Sequence, residues 1–279
     1  MSLLWRDRLH VFLAPSRVIL THAHRGIKPS PPTRHSAECE HKPDSEYESP
    51  LAQLEQMITN ADGADLFITL SNHFMRYAVL GPQKNIANLA ELQAYAGFHM
   101  REVFGERAAD WMTSVSAWDP LTGGVCAALE RSLFERLEEL AVRRKVRLRY
   151  VEPYLTAAFD HWHKRFGNRR AWFVLVEAGC LCLILLKNGS WQRVSSQRVV
   201  EYVEDELLAA LDQEAILFSE PKEGTETVYL FAPEHPELML PEDCGWRIAP
   251  LHTDNMPAPA HYPSIPIVLD SNNECAVSG

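Results

Sequence analysis

Two histidines, His22 and His24, are the simplest candidate for metal chemistry in this sequence. They are two residues apart at the end of a predicted strand, where this spacing would place both side chains on one strand face. Imidazole nitrogens are common zinc ligands, but a zinc site needs at least a third protein ligand. No Cys, Asp or further His is obviously placed to supply that ligand. We therefore interpret the pair as exposed histidines at the end of a strand.

The remaining pairs of ligand-type residues are less suited to chemistry. His161 and His163 fall on a predicted helix, where a spacing of two does not direct both side chains at one ligand. Cys180 and Cys182 share one face of an apolar strand and indicate core residues. The 6 cysteines are scattered without a paired framework, which is typical of reduced thiols in a cytoplasmic protein. No Gly-x-Ser-x-Gly, Walker loop or His-Glu-x-x-His occurs.

Composition and charge argue against several classes of function. The chain has 279 residues, of which 46% are hydrophobic, enough to build a sizeable core. Its formal charge of -10 argues against general nucleic-acid binding and against docking on anionic lipid. No signal peptide is visible at the start. Glu177 and Gly179 interrupt the longest apolar region well short of the roughly 20 residues of a membrane helix, so we expect no direct membrane insertion.

The sequence predicts strands and turns most clearly over positions 170–199, which include Cys180 and Cys182. An apolar strand over 171–176 is followed by a second strand over 180–186 and a more polar third strand over 191–199. The pair Asn188-Gly189 suits the positive φ angles of a type I′ turn between the second and third strands. A helix over 201–218 follows. Three antiparallel strands and a helix are the opening of a ribonuclease H-like unit.

The first part of the chain predicts a similar order of elements. A hairpin over 9–21 and a strand over 65–70 are separated by residues 28–50, which contain no Leu, Ile, Val or Phe. We interpret that segment as a solvated, mobile loop before a helix that Ser49 caps and Pro50 begins. Asn88 and Glu91 resemble a capping box. Further helices are predicted over 130–145 and 154–166, with a strand between them.

The two halves together resemble the duplicated actin-like ATPase fold, an α/β architecture of two ribonuclease H-like lobes with mixed sheets. Within it, the run Ile68-Thr-Leu-Ser-Asn-His-Phe-Met-Arg-Tyr-Ala-Val-Leu-Gly-Pro82 resembles the first-half strand pair of pilus and type II secretion assembly proteins. These relatives are the PilM family, the cytoplasmic domain of GspL, and MshI of MSHA pilus biogenesis. Residues 129–153 and 172–179 continue a loose similarity that spans about residues 3–200.

The resemblance implies two phosphate hairpins, each with an acidic residue for Mg²⁺ and a glycine that lets backbone N–H groups reach phosphate. The first would be Leu13-Ala-Pro-Ser-Arg17, which has no acid and no glycine. The second would be Glu177-Ala-Gly179, which keeps both. Ser16, Glu177 and Gly179 are therefore candidates for a vestigial phosphate site. No glycine pair is placed for adenosine, and a ribonuclease H nuclease would need carboxylates that the first strand lacks.

We therefore predict a first lobe over residues 1–167, a second over 168–252 and an irregular tail over 253–279. The resemblance implies a non-catalytic, cytoplasmic bacterial scaffold with no cofactor, which binds other pilus or secretion assembly proteins. Its partner would be an inner-membrane protein, which would hold it peripherally at the membrane, or a secretion ATPase. The alternative is a divergent nucleotide-binding ATPase of the same fold that uses ATP and Mg²⁺. A third interpretation is an isolated domain with an unrelated binding role.

Overall fold

A computed structural model describes residues 6–24, 30–40, 46–167, 170–218, 226–241 and 243–252. Their strands and helices are β1 (Arg8–Ala14), β2 (Arg17–Ala23), β3 (Thr33–Glu38), α1 (Glu48–Met57), β4 (Asp65–Leu70), β5 (Met75–Leu80), α2 (Leu89–Phe104), β6 (Trp111–Asp119), β7 (Gly123–Glu130), α3 (Arg131–Arg143), β8 (Arg147–Pro153), α4 (Tyr154–Trp162), β9 (Ala171–Glu177), β10 (Cys180–Lys187), β11 (Ser190–Arg198), α5 (Val203–Leu217), β12 (Thr227–Phe231) and β13 (Arg247–Pro250).

These residues form two compact units. The first comprises the described residues up to Leu70 together with Ser132–Glu152, and the second comprises Ser71–Arg131 and the described residues from Pro153 onward. The boundary that the sequence suggests at residue 167 therefore lies inside the second unit. The lobe limits of 1–167 and 168–252 stay a prediction. The predicted tail, 253–279, lies outside the described residues.

The first unit is built on a five-stranded sheet in the order β3-β2-β1-β4-β8. The first three strands are antiparallel, and β4 is parallel to β1. Alternate residues of β1, namely Leu9, Val11 and Leu13, are buried on one face of the sheet. Both α1 and α3 bury leucines, among them Leu54 and Leu137, in the core of the unit.

The predicted loop over 28–50 is wrong where the chain forms β3. This strand pairs with β2 along its whole length, from Arg17 opposite Glu38 to His22 opposite Thr33. Most of its side chains remain exposed, so it buries little apolar area and leaves no hydrophobic pattern in the sequence. Backbone hydrogen bonds to β2 hold it as a polar edge strand instead. Helix α1 also begins earlier than predicted, at Glu48.

The second unit repeats this plan with a sheet in the order β11-β10-β9-β12-β13. Strands β9, β10 and β11 are antiparallel, and β12 is parallel to β9, so the first four strands of the two sheets have the same succession of directions. The predicted turn at Asn188 and Gly189 is confirmed, since both have positive φ angles of 53° and 76°. Helix α5 packs Leu207 and Leu211 into the core of this sheet. The predicted α/β fold, a duplicated ribonuclease H-like architecture, is confirmed.

A smaller sheet, in the order β5-β7-β6, also belongs to the second unit. Helix α2 packs Ala96 and Met100 into its core, and the predicted Asn88 cap accepts a 3.0 Å hydrogen bond from the backbone N–H of Glu91. Gly123 has a φ of +87°, and a Cβ there would lie 2.0 Å from the carbonyl oxygen of Leu80. Gly123 is therefore required by the close approach of β7 to β5. None of the helices in the described parts of the chain has the length and hydrophobicity of a membrane span.

Candidate functional site

The second predicted phosphate hairpin is the turn between β9 and β10. Glu177 pairs directly with Cys180, so the turn consists of Ala178 and Gly179. Gly179 has a φ of +74°, a conformation that residues with a side chain rarely adopt. A Cβ at this position would also lie 3.4 Å from Cε1 of His73. The glycine thus serves the turn itself and leaves space for the histidine.

The Glu177 carboxylate lies at the end of β9 and is only 2% exposed. One of its oxygens accepts a 2.8 Å hydrogen bond from the backbone N–H of Asn72, and the other accepts a 3.0 Å bond from the hydroxyl of Ser71. Ser71 and Asn72 open a short 3-10 turn, Asn72–Phe74. Both carboxylate oxygens of Glu177 therefore already have donors from the protein itself.

Burial raises the pKa of the Glu177 carboxyl from 4.5 to about 7. The hydrogen bonds from Asn72 and Ser71 lower this pKa, and the charge of Glu234 raises it further. A carboxyl with this pKa is protonated in about half of the molecules near neutral pH. Mg²⁺ prefers ionised carboxylates and retains several of its waters. A buried, partly protonated glutamate is a poor ligand for such an ion.

The backbone of the same turn is also engaged by the protein. The N–H of Ala178 donates to Oε2 of Glu234 at 2.8 Å, and the carbonyl of Ala178 lies 2.8 Å from Nε2 of His73. The carbonyl of Gly179 accepts from the N–H of Val199 at 3.0 Å. Because β12 runs parallel to β9, the residues that follow the two strands emerge side by side, which brings Glu234 to Ala178. An anionic side chain thus occupies a donor that a phosphate hairpin would offer to its ligand.

Asn72 joins the turn to two further elements of the second unit. Its Oδ1 accepts from the hydroxyl of Tyr77 at 2.5 Å and from the N–H of Leu155 at 3.1 Å. Leu155 lies in the first turn of α4, where backbone N–H groups have no partner within the helix. Pro153 precedes this helix and provides no side-chain cap, so Asn72 supplies the cap from elsewhere in the sequence. Burial raises the pKa of Tyr77 well above its usual value, which keeps its hydroxyl a donor.

The first predicted hairpin, in the first unit, is the turn between β1 and β2. Ala14 pairs with Arg17, so the turn consists of Pro15 and Ser16. Pro15 has no N–H, and the carbonyl of the exposed Ser16 accepts a 2.7 Å hydrogen bond from the N–H of Cys39. No acidic side chain stands in this turn. The structure therefore places Glu177 and Gly179 in one turn and Ser16 in another unit, and a phosphate role for the three stays a prediction.

Sequence reasoning missed the residues that surround Glu177. Ser71 contacts Glu177 from 106 residues earlier in the sequence. Glu234 contacts Ala178 from 56 residues later. The only signal was a turn-prone Ser71-Asn72-His73 run at the end of a predicted strand.

Sequence reasoning also missed a buried pair in the first unit, in which the Thr69 hydroxyl donates to Glu152 at 2.9 Å.

The sequence did not place an acidic residue beside His22 and His24, whereas the structure does. Oδ2 of Asp7 lies 2.9 Å from Nε2 of His22 and 2.8 Å from Nδ1 of His24. Asp7 precedes β1, and the sequence alone gives no register between β1 and β2. The register pairs Arg8 with Ala23, which brings Asp7 opposite His24 one position further.

Comparison with known proteins identifies the fold. No protein-family model matches the sequence, and no curated protein matches it. Solved structures do match. One is the structure of a protein from Bacteroides thetaiotaomicron with an actin-like ATPase fold and unknown function, at a TM-score of 0.57 and 11% identity, covering 84% of this chain and 85% of that one. At such identity the likeness shows the fold alone: the chain has the actin-like ATPase fold, as its sequence predicted.

Two further structures come from assembly machinery. A PilM–PilN type IV pilus biogenesis complex matches at a TM-score of 0.65 and 13% identity, covering 88% of each chain. The cytoplasmic domain of EpsL, an inner membrane component of the type II secretion system of Vibrio cholerae, matches at a TM-score of 0.55 and 11% identity, covering 88% of this chain and 90% of that one. The predicted resemblance to this group of pilus and secretion proteins is thus confirmed at the level of the fold.

Proposed function

We propose that this chain is a non-catalytic scaffold of a bacterial type IV pilus or type II secretion apparatus and acts by binding other assembly proteins. The proposal is supported by the PilM–PilN and EpsL structures, which match over most of this chain. It includes a cytoplasmic location, peripheral at the inner membrane through a partner. The partner would be an inner-membrane assembly protein or a secretion ATPase.

The observation that carries the non-catalytic part is the engagement of the second hairpin by the protein's own groups. The N–H of Ala178 is bound by Glu234, and the carboxylate of Glu177 is bound by Ser71 and Asn72. Phosphoryl transfer in enzymes depends on positioned donors and metal ions around the phosphates. Here the donor faces a negative side chain, so an approaching phosphate would meet repulsion as well as an occupied hydrogen bond. We propose that the chain uses no ATP and no Mg²⁺.

The nucleotide-binding alternative rests on the acid and glycine that remain in this turn, Glu177 and Gly179. In that alternative the Glu177 carboxylate would ionise and hold Mg²⁺ or its water when ATP binds. Function would then depend on the negative charge of Glu177. The scaffold depends only on the hydrogen bonds that this side chain accepts.

A complementation experiment separates the two. The gene is deleted in the source bacterium, and surface pili and secreted proteins are measured. Wild type and Glu177→Gln are then expressed at matched levels; the amide keeps an acceptor for the N–H of Asn72 and loses the charge. The scaffold predicts loss of pili or secretion on deletion and equal rescue by both. Rescue by wild type alone would favour the ATPase, and an unchanged deletion strain would overturn the assembly function.

A further inference from the structure

Three side chains at one end of the first unit's sheet converge on a single point. They are Asp7, immediately before β1, and His22 and His24, at the end of β2. The antiparallel register places Asp7 opposite His24, and His22 is two residues earlier on the same face. The convergence is therefore a consequence of strand pairing and does not depend on a flexible loop.

The contacts among the three are close. Oδ2 of Asp7 lies 2.9 Å from Nε2 of His22 and 2.8 Å from Nδ1 of His24. The two imidazole rings are tilted against each other with centroids 3.8 Å apart. Two imidazole nitrogens thus point at the same carboxylate oxygen, and the three ligand atoms all lie within 4.8 Å of one another. His22 has 15% of its side chain exposed and His24 has 47%.

We propose that Asp7, His22 and His24 form a binding site for one divalent transition-metal ion, with Zn²⁺ as the probe. Ligand atoms at about 2.0–2.1 Å from a tetrahedral zinc are roughly 3.3 Å apart. The two nitrogen–oxygen distances, 2.9 and 2.8 Å, therefore need to lengthen by only a few tenths of an ångström, and the two nitrogens already lie within 4.8 Å of each other. The ion takes the place of the protons that the two nitrogens share with Asp7. Each histidine then carries its proton on its other ring nitrogen.

The donor set selects the class of metal. Two imidazoles and one carboxylate suit zinc, copper, iron or nickel, whereas Mg²⁺ and Ca²⁺ prefer sites made entirely of oxygen. Three protein ligands leave at least one coordination position open. Because His24 is half exposed, that position is accessible to water or to another ligand. The ion would cross-link the start of β1 and the end of β2 through these side chains. This site is independent of the proposed scaffold function and of the hairpin around Glu177.

Titration of the full chain, without a polyhistidine tag, tests the site. Zn²⁺ is added in a calorimeter, or in competition with a coloured chelator, to wild type, His24→Ala and Asp7→Asn. Loss of a residue that merely orients a ligand costs about 10–100-fold in metal affinity, so loss of a ligand should cost at least about tenfold. His99→Ala is the matched control, because the half-buried His99 lies 3.4 Å from a single carboxylate, that of the exposed Glu102.

The expected result is saturable binding of one ion in wild type and His99→Ala, and affinity lowered at least about tenfold in His24→Ala and Asp7→Asn. A second measurement is the melting temperature, which Zn²⁺ should raise in wild type and His99→Ala only, since a ligand stabilises the state that binds it. It also shows whether each variant is folded. Absence of saturable binding in wild type, or equal affinity in folded His24→Ala, would overturn the proposal.

Discussion

The backbone N–H of Ala178 donates a 2.8 Å hydrogen bond to the carboxylate of Glu234, across 56 residues of sequence. In a phosphate-binding hairpin, backbone N–H groups are the donors that hold the ligand. Here the protein supplies an anion of its own to that donor. The hairpin therefore keeps its shape, set by Gly179, while its hydrogen bond is used within the fold.

The pKa of Glu177 gives a prediction about pH. Its value of about 7 in the folded chain exceeds the roughly 4.3 of an unfolded glutamate. Between these values the folded state holds a proton that the unfolded state has lost. The stabilisation from this proton is fully present below about pH 4 and is lost as the pH rises through about 7.

Glu177→Gln does not titrate, so it should gain stability relative to wild type as the pH rises from about 5 to about 8, by up to roughly 3 kcal/mol. Urea unfolding of both proteins at the two pH values measures the difference. A difference that stays constant with pH would mean that Glu177 is not held protonated by burial.

Asn72 should be more sensitive to substitution than its hydrogen-bond partner Tyr77. Asn72→Ala leaves the buried hydroxyl of Tyr77 and the N–H of Leu155 without their acceptor. An unsatisfied buried donor costs about 1–3 kcal/mol, so the loss of an acceptor for two donors should reach roughly 2–6 kcal/mol. Tyr77→Phe is the matched control, since it removes a donor and leaves Asn72 bound to Leu155; it should cost about 0.5–1.5 kcal/mol. Equal losses in chemical denaturation would contradict the capping role of Asn72.

Alanine substitutions at Gly123 and Gly189 should distinguish the cost of a steric clash from the cost of a left-handed backbone conformation. The two glycines have similar φ angles, +87° and +76°. A Cβ added at Gly123 would lie 2.0 Å from the carbonyl oxygen of Leu80, whereas a Cβ added at Gly189 would have no atom within 4 Å. Gly189→Ala should cost about 1–2 kcal/mol from its left-handed conformation. Gly123→Ala should cost more than about 3 kcal/mol, because β5 and β7 must also separate. Thermal unfolding of both variants gives the comparison, and similar losses would rule out the close approach.

Local signals made much of this fold predictable. The turn at Asn188 and Gly189 and the apolar strands on either side of Glu177 are specified by neighbouring residues. Strand β3 was not predictable from side chains, because it is held by its backbone and leaves them exposed. Asp7 as a partner of His22, and Glu234 as a partner of Ala178, were missed because these contacts depend on strand register or tertiary packing. The residues next to Asp7 and Glu234 in the sequence do not indicate these contacts.

Calorimetry with ATP and Mg²⁺ tests the central claim most directly. The hairpin at Ser16 has no acidic residue, and the Glu177 carboxylate of the other hairpin is buried and hydrogen-bonded within the protein. Wild type should therefore give no saturable heat up to about millimolar ATP, where binding is worth only about 4 kcal/mol. Glu177→Ala should behave identically. Saturable binding in wild type that is abolished in folded Glu177→Ala would contradict the account and favour the nucleotide-binding alternative.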